Sequence, residues 1–288
     1  MKIAKFLPAL AAGALLALPA AAAELKIGLQ DDADMLDPTQ SQTFVGRIVY
    51  TALCDKLVDL SPDLKIVPQL ATEWSWSDDG RELTMKLRQG VKFHDGTPFN
   101  ADAVVYDIER AMTLPESKRK SELKSVDKVE ATGEYEVKFT LKSPDVTLLA
   151  TLSDRAGMMI SPTAAKEMGT DFGNKPVCSG PFKFVDRVQQ DRIVLEKFQD
   201  YWNKDSIFID KVTYLPIPDT TVRLANLRAG DLDMLERLNP SDAAQVKGDA
   251  NLTFAPVAGL GFQQFMFNVA NGKRAEDNPF KNKLVRQA

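Results

Sequence analysis

The stretch from residue 68 to residue 112 constrains the fold most, because two strands, a turn and a helix can be assigned within it. Residues 73–77 alternate polar and aromatic side chains, and residues 83–88 alternate apolar and polar ones, which is typical of half-buried strands. Between them, Asp-Asp-Gly at 78–80 favours a turn, because glycine tolerates positive φ. Asn100 can cap the helix that follows, in which apolar side chains recur at helical spacing. The stretch therefore predicts a packed hairpin followed by a helix.

The residues of this stretch also form a specific motif. It comprises Leu70-Ala71, Trp74, Asp78-Asp79-Gly80, Leu87-Arg88, Gly90-Val91-Lys92-Phe93, Asp95-Gly96, Pro98-Phe99 and Ala101. This order and spacing closely resemble the signature region of the family 5 extracellular solute-binding proteins, which feed ABC importers of peptides, nickel complexes and similar solutes. The alternative is an unrelated hairpin and helix. Further matches carry the resemblance from about Glu24 to the end of the chain, at Leu36-Asp37-Pro38, at 178–183 and at 285–288.

The resemblance implies an α/β fold with mixed sheets, of the two-lobed, class II type of periplasmic binding protein. Family members are nearly twice as long, and the match breaks off inside a motif at Ala288. We therefore expect a truncated form, or half of a split gene, that lacks most of the second lobe. The alternative, a natural single-lobe protein, would leave its last strands with unpaired edges, which favour aggregation. Alternating apolar residues predict two late strands, at 252–257 and 261–269. The expected segments are a signal peptide (1–23), a first segment of lobe I (24–60), an inserted subdomain of lobe I (61–174), a second segment of lobe I (175–258) and the start of lobe II (259–288).

The N-terminus has the features of a secretion signal. Lys2 and Lys5 precede an apolar run from Phe6 to Leu18, and three alanines that end at Ala23 suit a signal peptidase. The run is too short and too rich in alanine for a stable membrane span. We expect cleavage after Ala23 and export of the mature protein to the periplasm.

Composition and motifs argue against several classes of function. The formal net charge of −4 disfavours nucleic acid as a partner, since a phosphate backbone selects for a basic surface. Two cysteines and one histidine, His94, exclude the usual structural zinc site. The sequence has no Gly-x-Ser-x-Gly, His-Glu-x-x-His or phosphate-binding loop, so no catalytic residue, metal or cofactor is assigned and an enzyme is not expected.

The two cysteines, Cys54 and Cys178, could form a disulfide in an oxidising compartment. The alternative is two separately buried thiols. In the related family, the motif around Cys178 begins with glycine in place of this cysteine. That departure from the family pattern supports Cys54 as its partner.

The resemblance also implies where a solute would bind. In the family, the polar loop at 31–43 helps to line the solute cleft, and the candidate ligand-binding residues of this loop are Asp32, Asp34, Gln40 and Thr43. Its acids could accept a ligand amine, or the loop could simply be solvated. Arg155 could bind a ligand carboxylate with its planar fork, or form a surface ion pair. Together these groups would suit a zwitterion such as a peptide.

The predicted function is therefore the periplasmic solute-binding component of an ABC importer. It would capture a peptide or a similar small solute as a monomer and deliver it to the permease subunits at the membrane. An extracytoplasmic sensor or a chaperone-like binding protein on the same fold is the alternative.

Overall fold

The computed structural model describes residues 23–257 and 264–288, so the predicted signal peptide lies outside the described residues except for Ala23. Contacts within the chain divide it into two units, Met1–Asn239 and Pro240–Ala288. The expected boundaries of the lobe segments stay a prediction.

The secondary structure is mixed. The strands are β1 (Glu24–Leu29), β2 (Val58–Leu60), β3 (Ile66–Pro68), β4 (Ala71–Trp76), β5 (Glu82–Leu87), β6 (Val126–Gly133), β7 (Glu136–Leu141), β8 (Phe182–Val188), β9 (Arg192–Lys197), β10 (Lys211–Pro216) and β11 (Met234–Leu235). The helices are α1 (Phe44–Leu53), α2 (Ala101–Thr113), α3 (Leu148–Leu152), α4 (Pro162–Met168), α5 (Thr220–Ala229), α6 (Ala243–Lys247) and α7 (Lys283–Gln287). Short 3-10 turns lie at Arg155–Gly157, Gly169–Asn174, Lys204–Ser206, Pro240–Asp242, Lys273–Ala275 and Pro279–Lys281.

A five-stranded mixed sheet in the order β11-β1-β10-β9-β8 forms one layer of the first unit. β1 pairs in parallel with both β10 and β11, whereas β9 pairs antiparallel with its neighbours β10 and β8. Apolar side chains of this sheet and of α1 form one buried cluster, which includes Leu29, Tyr50 and Leu195. Because β1 pairs in parallel with both β10 and β11, these three strands end at a common edge of the sheet.

The hairpin predicted within residues 68–112 is confirmed. β4 pairs antiparallel with β5, and the four-stranded sheet continues in the order β4-β5-β7-β6. In β5 every second side chain is buried, and these side chains pack with those of α2 in a second apolar cluster. Asn100 caps α2 by accepting a hydrogen bond from the Ala103 N–H. A further two-stranded sheet joins β2 and β3.

The second unit contains α6, α7 and short 3-10 turns. The strand predicted at 252–257 is wrong, because these residues carry no strand. Residues 261–263 lie outside the described residues, and 264–269 also form no strand. Alternating side chains alone do not form a strand, because the main-chain N–H and C=O groups need a neighbouring strand to pair with. Residues 240–257 and 264–288 contain no strand that could pair with these residues.

Cys54 and Cys178 form the disulfide that was predicted, across 124 residues of sequence. Closing a loop of that length contributes about 5 kcal/mol in the chain-entropy model. Two main-chain hydrogen bonds connect the segments around this disulfide. The Gly180 N–H donates to Leu53 O and the His94 N–H donates to Cys178 O, each at 2.8 Å. We call this place, residues 53–54, 94 and 178–180, the disulfide joint.

His94 is a packing residue of this joint. Its Nδ1 accepts the Cys178 N–H at 3.2 Å, so the proton lies on Nε2, which donates to Gly180 O at 3.0 Å. The ring also packs edge-on against Phe198, with centroids 5.0 Å apart. Burial lowers the pKa of His94 to about 4, against the opposing effect of the Gly180 carbonyl.

Across residues 23–257 and 264–288, no helix combines the length and the apolar character that crossing a bilayer requires.

Gly180 should tolerate no side chain. A Cβ built there would lie 2.6 Å from the carbonyl carbon and oxygen of Leu53 and 2.8 Å from Cys54 N, and main-chain atoms held by a disulfide cannot easily move away. We expect Gly180→Ala to lower the free energy of unfolding by about 1–3 kcal/mol or more. In the control Gly133→Ala the nearest atom is 3.7 Å away, so the change should stay within about 0.5 kcal/mol. Denaturant titration of both variants measures the difference, and equal stabilities would contradict the expectation.

The neutral form of His94 should make stability depend on pH. The unfolded histidine titrates at about 6.5 and the folded one at about 4, so the unfolded chain binds more protons between these values. The contribution of His94 is therefore fully present above pH 6.5 and is lost as pH falls towards 4, by about 2–3 kcal/mol. Unfolding free energies measured at pH 7 and pH 4.5 should differ by that much more in the wild type than in His94→Asn. Identical pH dependence in the two proteins would refute this role.

Candidate functional site

The carboxyl ends of the three parallel strands form the best-placed candidate site. β1, β10 and β11 end there, and Gln30, Ile217 and Glu236 follow them directly. In open α/β sheets, ligands bind in the crevice outside the carboxyl ends of parallel strands. The polar loop at 31–43 leaves this edge and leads into α1, so the loop predicted to line a cleft starts at the expected place. We call this region the carboxyl edge.

Asp32 is used by the protein itself. Its Oδ2 accepts hydrogen bonds from Arg187 Nη2 and from the Gln190 N–H, both at 3.0 Å. The side chains of Asp32 and Arg187 are only 13% and 12% exposed, so this is a largely buried ion pair. Arg187 also donates to Ala33 O. The carboxylate therefore anchors the start of the loop to the end of β8.

Asp34 and Thr43 close the loop on itself. Asp34 Oδ1 accepts from Ser41 Oγ at 2.6 Å and from Thr43 Oγ1 at 2.8 Å, and its Oδ2 accepts the Gln42 N–H at 2.8 Å. Burial raises the pKa of Asp34, but these donors outweigh it and the net shift is downwards. Thr43 Oγ1 in turn accepts the Gly46 N–H and so caps α1. A ligand amine at Asp34 would have to compete with three existing donors.

Arg155 and Gln40 make hydrogen bonds with different residues of the loop. Arg155 Nη1 donates to the main-chain carbonyls of Ser41 and Thr43, each at 3.4 Å, and the side chain is 16% exposed. The structure thus brings Asp34, Thr43 and Arg155 together. Gln40 instead donates to Asp37 Oδ2 at 2.8 Å and lines a cavity of about 330 Å³ beside α2 and α4.

Asp37 holds this side of the loop. It forms a bidentate pair with Arg110 of α2, at 2.6 and 3.2 Å, and its side chain is fully buried. The guanidinium of Arg110 also lies 5.6 Å from the ring centre of Phe172. The Asp of the Leu-Asp-Pro motif therefore fixes the loop to α2.

The carboxyl edge also contains residues that the sequence analysis missed. Arg237 Nη1 donates to Gln30 Oε1 at 3.3 Å, and its guanidinium lies 5.8 Å from the ring centre of Phe44. Glu236 accepts the Gln30 N–H at 3.3 Å. The available signal was weak, because these residues follow a strand of only two residues, although the motif Leu-Asp-Met at 232–234 marks its position.

Arg223 supports this edge from inside. It is 1% exposed and donates to the main-chain carbonyls of Ile217, Pro218 and Arg237. Burial lowers its pKa below the ordinary value. Its side chain and that of Leu232 also fill the space over Gly28, where a Cβ would meet them at 3.0 and 2.6 Å. The edge is thus held by buried charge and close packing.

Within residues 23–257 and 264–288, no group of three or more His, Cys, Asp or Glu side chains is placed to hold a metal ion.

Comparison with known proteins gives a consistent result. The family model described as bacterial extracellular solute-binding proteins, family 5 Middle, matches residues 65–288. The glutathione-binding protein GsiB of Pectobacterium atrosepticum is 32% identical over 270 residues, which cover 93% of this chain and 51% of that protein. GsiB of Salmonella typhi is 32% identical over 288 residues, covering 99% and 55%. The chain thus spans about half the length of the curated relatives it matches.

Solved structures share the fold. The PBP AgaA from A. tumefaciens R10 in complex with agropinic acid has a TM-score of 0.74 and 33% identity, over 79% of this chain and 46% of that one. The periplasmic binding protein DppA from Helicobacter pylori in complex with the peptide STSA has a TM-score of 0.73 and 27% identity, over 79% and 49%. These similarities confirm the predicted α/β fold of the periplasmic-binding-protein type.

Replacing Asp32 should cost stability whether or not a solute is present. Asp32→Asn leaves the mostly buried Arg187 without a counter-charge, and we expect a loss of about 2–3 kcal/mol in unfolding free energy. Asp31→Asn is the matched control, because Asp31 is exposed and an amide oxygen can still accept the Asp32 N–H. Its effect should stay within about 0.5 kcal/mol. Chemical denaturation of both variants decides, and a stable Asp32→Asn protein would show that the ion pair is dispensable.

Proposed function

This chain belongs to family 5 of the bacterial extracellular solute-binding proteins, and we propose that it acts in the solute-binding component of an ABC importer. The observation that carries this proposal is the family match, which extends over residues 65–288. Members of this family are binding proteins of transport systems and not enzymes. The protein would capture its solute outside the cytoplasmic membrane, in the periplasm, after export by the signal peptide within residues 1–23.

We infer the class of solute from what the relatives bind. Their names and titles specify glutathione, the peptide STSA and agropinic acid. A tripeptide, a tetrapeptide and an opine acid have in common a small polar body with at least one carboxylate. The proposed solute of this chain is therefore a short peptide or a peptide-like acid.

The proposed binding surface is the carboxyl edge with its loop. Asp34, Thr43 and Arg155 lie together there, and Asp32 anchors the loop through Arg187. Asp32 Oδ2, both Asp34 oxygens, the Thr43 hydroxyl and Arg155 Nη1 already have partners within the protein. These four side chains would therefore contribute chiefly by holding the shape of the loop. Gln40, which donates a hydrogen bond to Asp37, would contribute to the part of this surface next to Asp37. Lobe I would comprise residues 24–60, 61–174 and 175–258, and lobe II would begin at 259.

The protein would work as a monomer and pass its solute to the permease subunits of the importer. In this role the affinity for the solute matters more than any chemical step. Side chains at the carboxyl edge would therefore be selected for shape and charge.

A thermal-unfolding screen of the protein expressed from its own gene tests this function. The panel comprises glutathione, trialanine, agropinic acid and a nickel–histidine chelate, with glucose as a neutral comparison. A bound solute should stabilise the folded state by RT ln(1 + [L]/Kd), about 2.7 kcal/mol at a concentration of 100 Kd. At least one acid of the panel should raise the midpoint in a saturable manner that calorimetry reproduces. A folded protein that responds to none of them at millimolar concentration would contradict the proposed function.

A further inference from the structure

We propose that Arg237 binds a carboxylate of the solute, at a subsite that it forms with Phe44 and Gln30. This inference rests on the proposed function and deepens it. We prefer it to Arg155 as the cation that meets the ligand acid, because the Arg155 side chain is only 16% exposed and its Nη1 already donates to two main-chain carbonyls of the loop.

The backbone of Arg237 is held in an uncommon conformation. Its φ is 55°, in the left-handed region that non-glycine residues rarely adopt and that is found at ligand sites. Two bonds hold it there. The Glu236 N–H donates to Gly28 O at 3.1 Å, and buried Arg223 donates to Arg237 O at 3.0 Å. The chain therefore turns sharply just after β11, and Arg237 is exposed at the carboxyl edge.

The side chain is oriented before any ligand arrives. Gln30 Oε1 accepts from Nη1, and the guanidinium lies within cation–π distance of the Phe44 ring. Phe44 is 51% exposed although it is a large aromatic residue at the first position of α1. An ordered guanidinium loses less side-chain entropy on binding than a mobile one.

The charge of this guanidinium remains available. Within residues 23–257 and 264–288, Arg237 makes no ion pair, in contrast to Arg187, whose partner is Asp32. Gln30 is neutral and occupies one of the five N–H donors of the fork. The remaining donors can meet both oxygens of a carboxylate, the geometry that arginine recognises best.

The experiment compares paired ligands that differ only in charge. Wild type, Arg237→Gln and Arg237→Lys, each expressed as the complete gene product, are titrated by calorimetry with glutathione and its diethyl ester, and with trialanine and its C-terminal amide. Losing a charged hydrogen bond typically weakens binding by about tenfold to a hundredfold. Wild type should prefer the acid of at least one pair by that factor, and Arg237→Gln should lose the preference. Arg237→Lys, which keeps the charge without the fork, should fall between them.

Two controls separate recognition from folding. Arg81→Gln changes an exposed arginine just before the hairpin strand β5, and this variant should bind as wild type does. Phe44→Ala should weaken binding of the acid more than binding of its ester or amide. Unfolding midpoints of all variants without ligand should agree with wild type.

Three outcomes would overturn the inference. Arg237→Gln could keep the full preference for the acid, wild type could bind acid and neutral form equally, or wild type could bind neither acid. The first two leave the proposed function intact, because solute binding persists. The third outcome alone does not contradict the proposed function. If another solute of the thermal-unfolding panel still binds, only the inference about Arg237 fails.

Discussion

The disulfide joint is the constraint on which the rest of the first unit depends. At this place the end of α1, the turn after the hairpin and the segment before β8 meet without space for a side chain at Gly180. Val177, just before the joint, packs against both apolar clusters. A covalent bond here removes conformations from the unfolded chain, and the hydrogen bonds of His94 hold the turn after the hairpin against Cys178 and Gly180. The five-stranded sheet and the hairpin sheet are thereby joined.

A second constraint is the cost of burying charge. The loop at 31–43 has no regular structure, so its order comes from carboxylates with fixed partners, Asp37 with Arg110 and Asp32 with Arg187. The free energy needed to remove two charges from water offsets much of their mutual attraction. Such pairs therefore add little net stability, and their main effect here is to hold the loop in one conformation. That suits a binding surface, where a loop of fixed shape avoids ordering costs when the ligand arrives.

The sequence predicted those parts of the fold whose determinants are local. Alternation in β5 and the cap at Asn100 depend on neighbours within a few residues, and both were read correctly. The motif located the loop at 31–43, but the structural roles of its acids could not be read from the sequence, because the partner of Asp32 lies 155 residues away. Arg237 was missed because a two-residue strand has no periodicity, and its position at the carboxyl edge follows only from the parallel pairing of β11 with β1.

Burial also shifts the pKa of Asp55, which follows Cys54 of the joint, and it does so in the direction opposite to its effect on His94. Burial raises the pKa of Asp55 to about 7, although Trp202, Tyr201 and Gln69 donate hydrogen bonds to it. Since the folded pKa lies above the unfolded one, the contribution of Asp55 is full below about pH 4 and is lost as pH rises towards 7. The contribution of His94 changes in the opposite direction over almost the same interval. The pH dependence that Asp55 contributes to stability therefore offsets part of the one that His94 contributes.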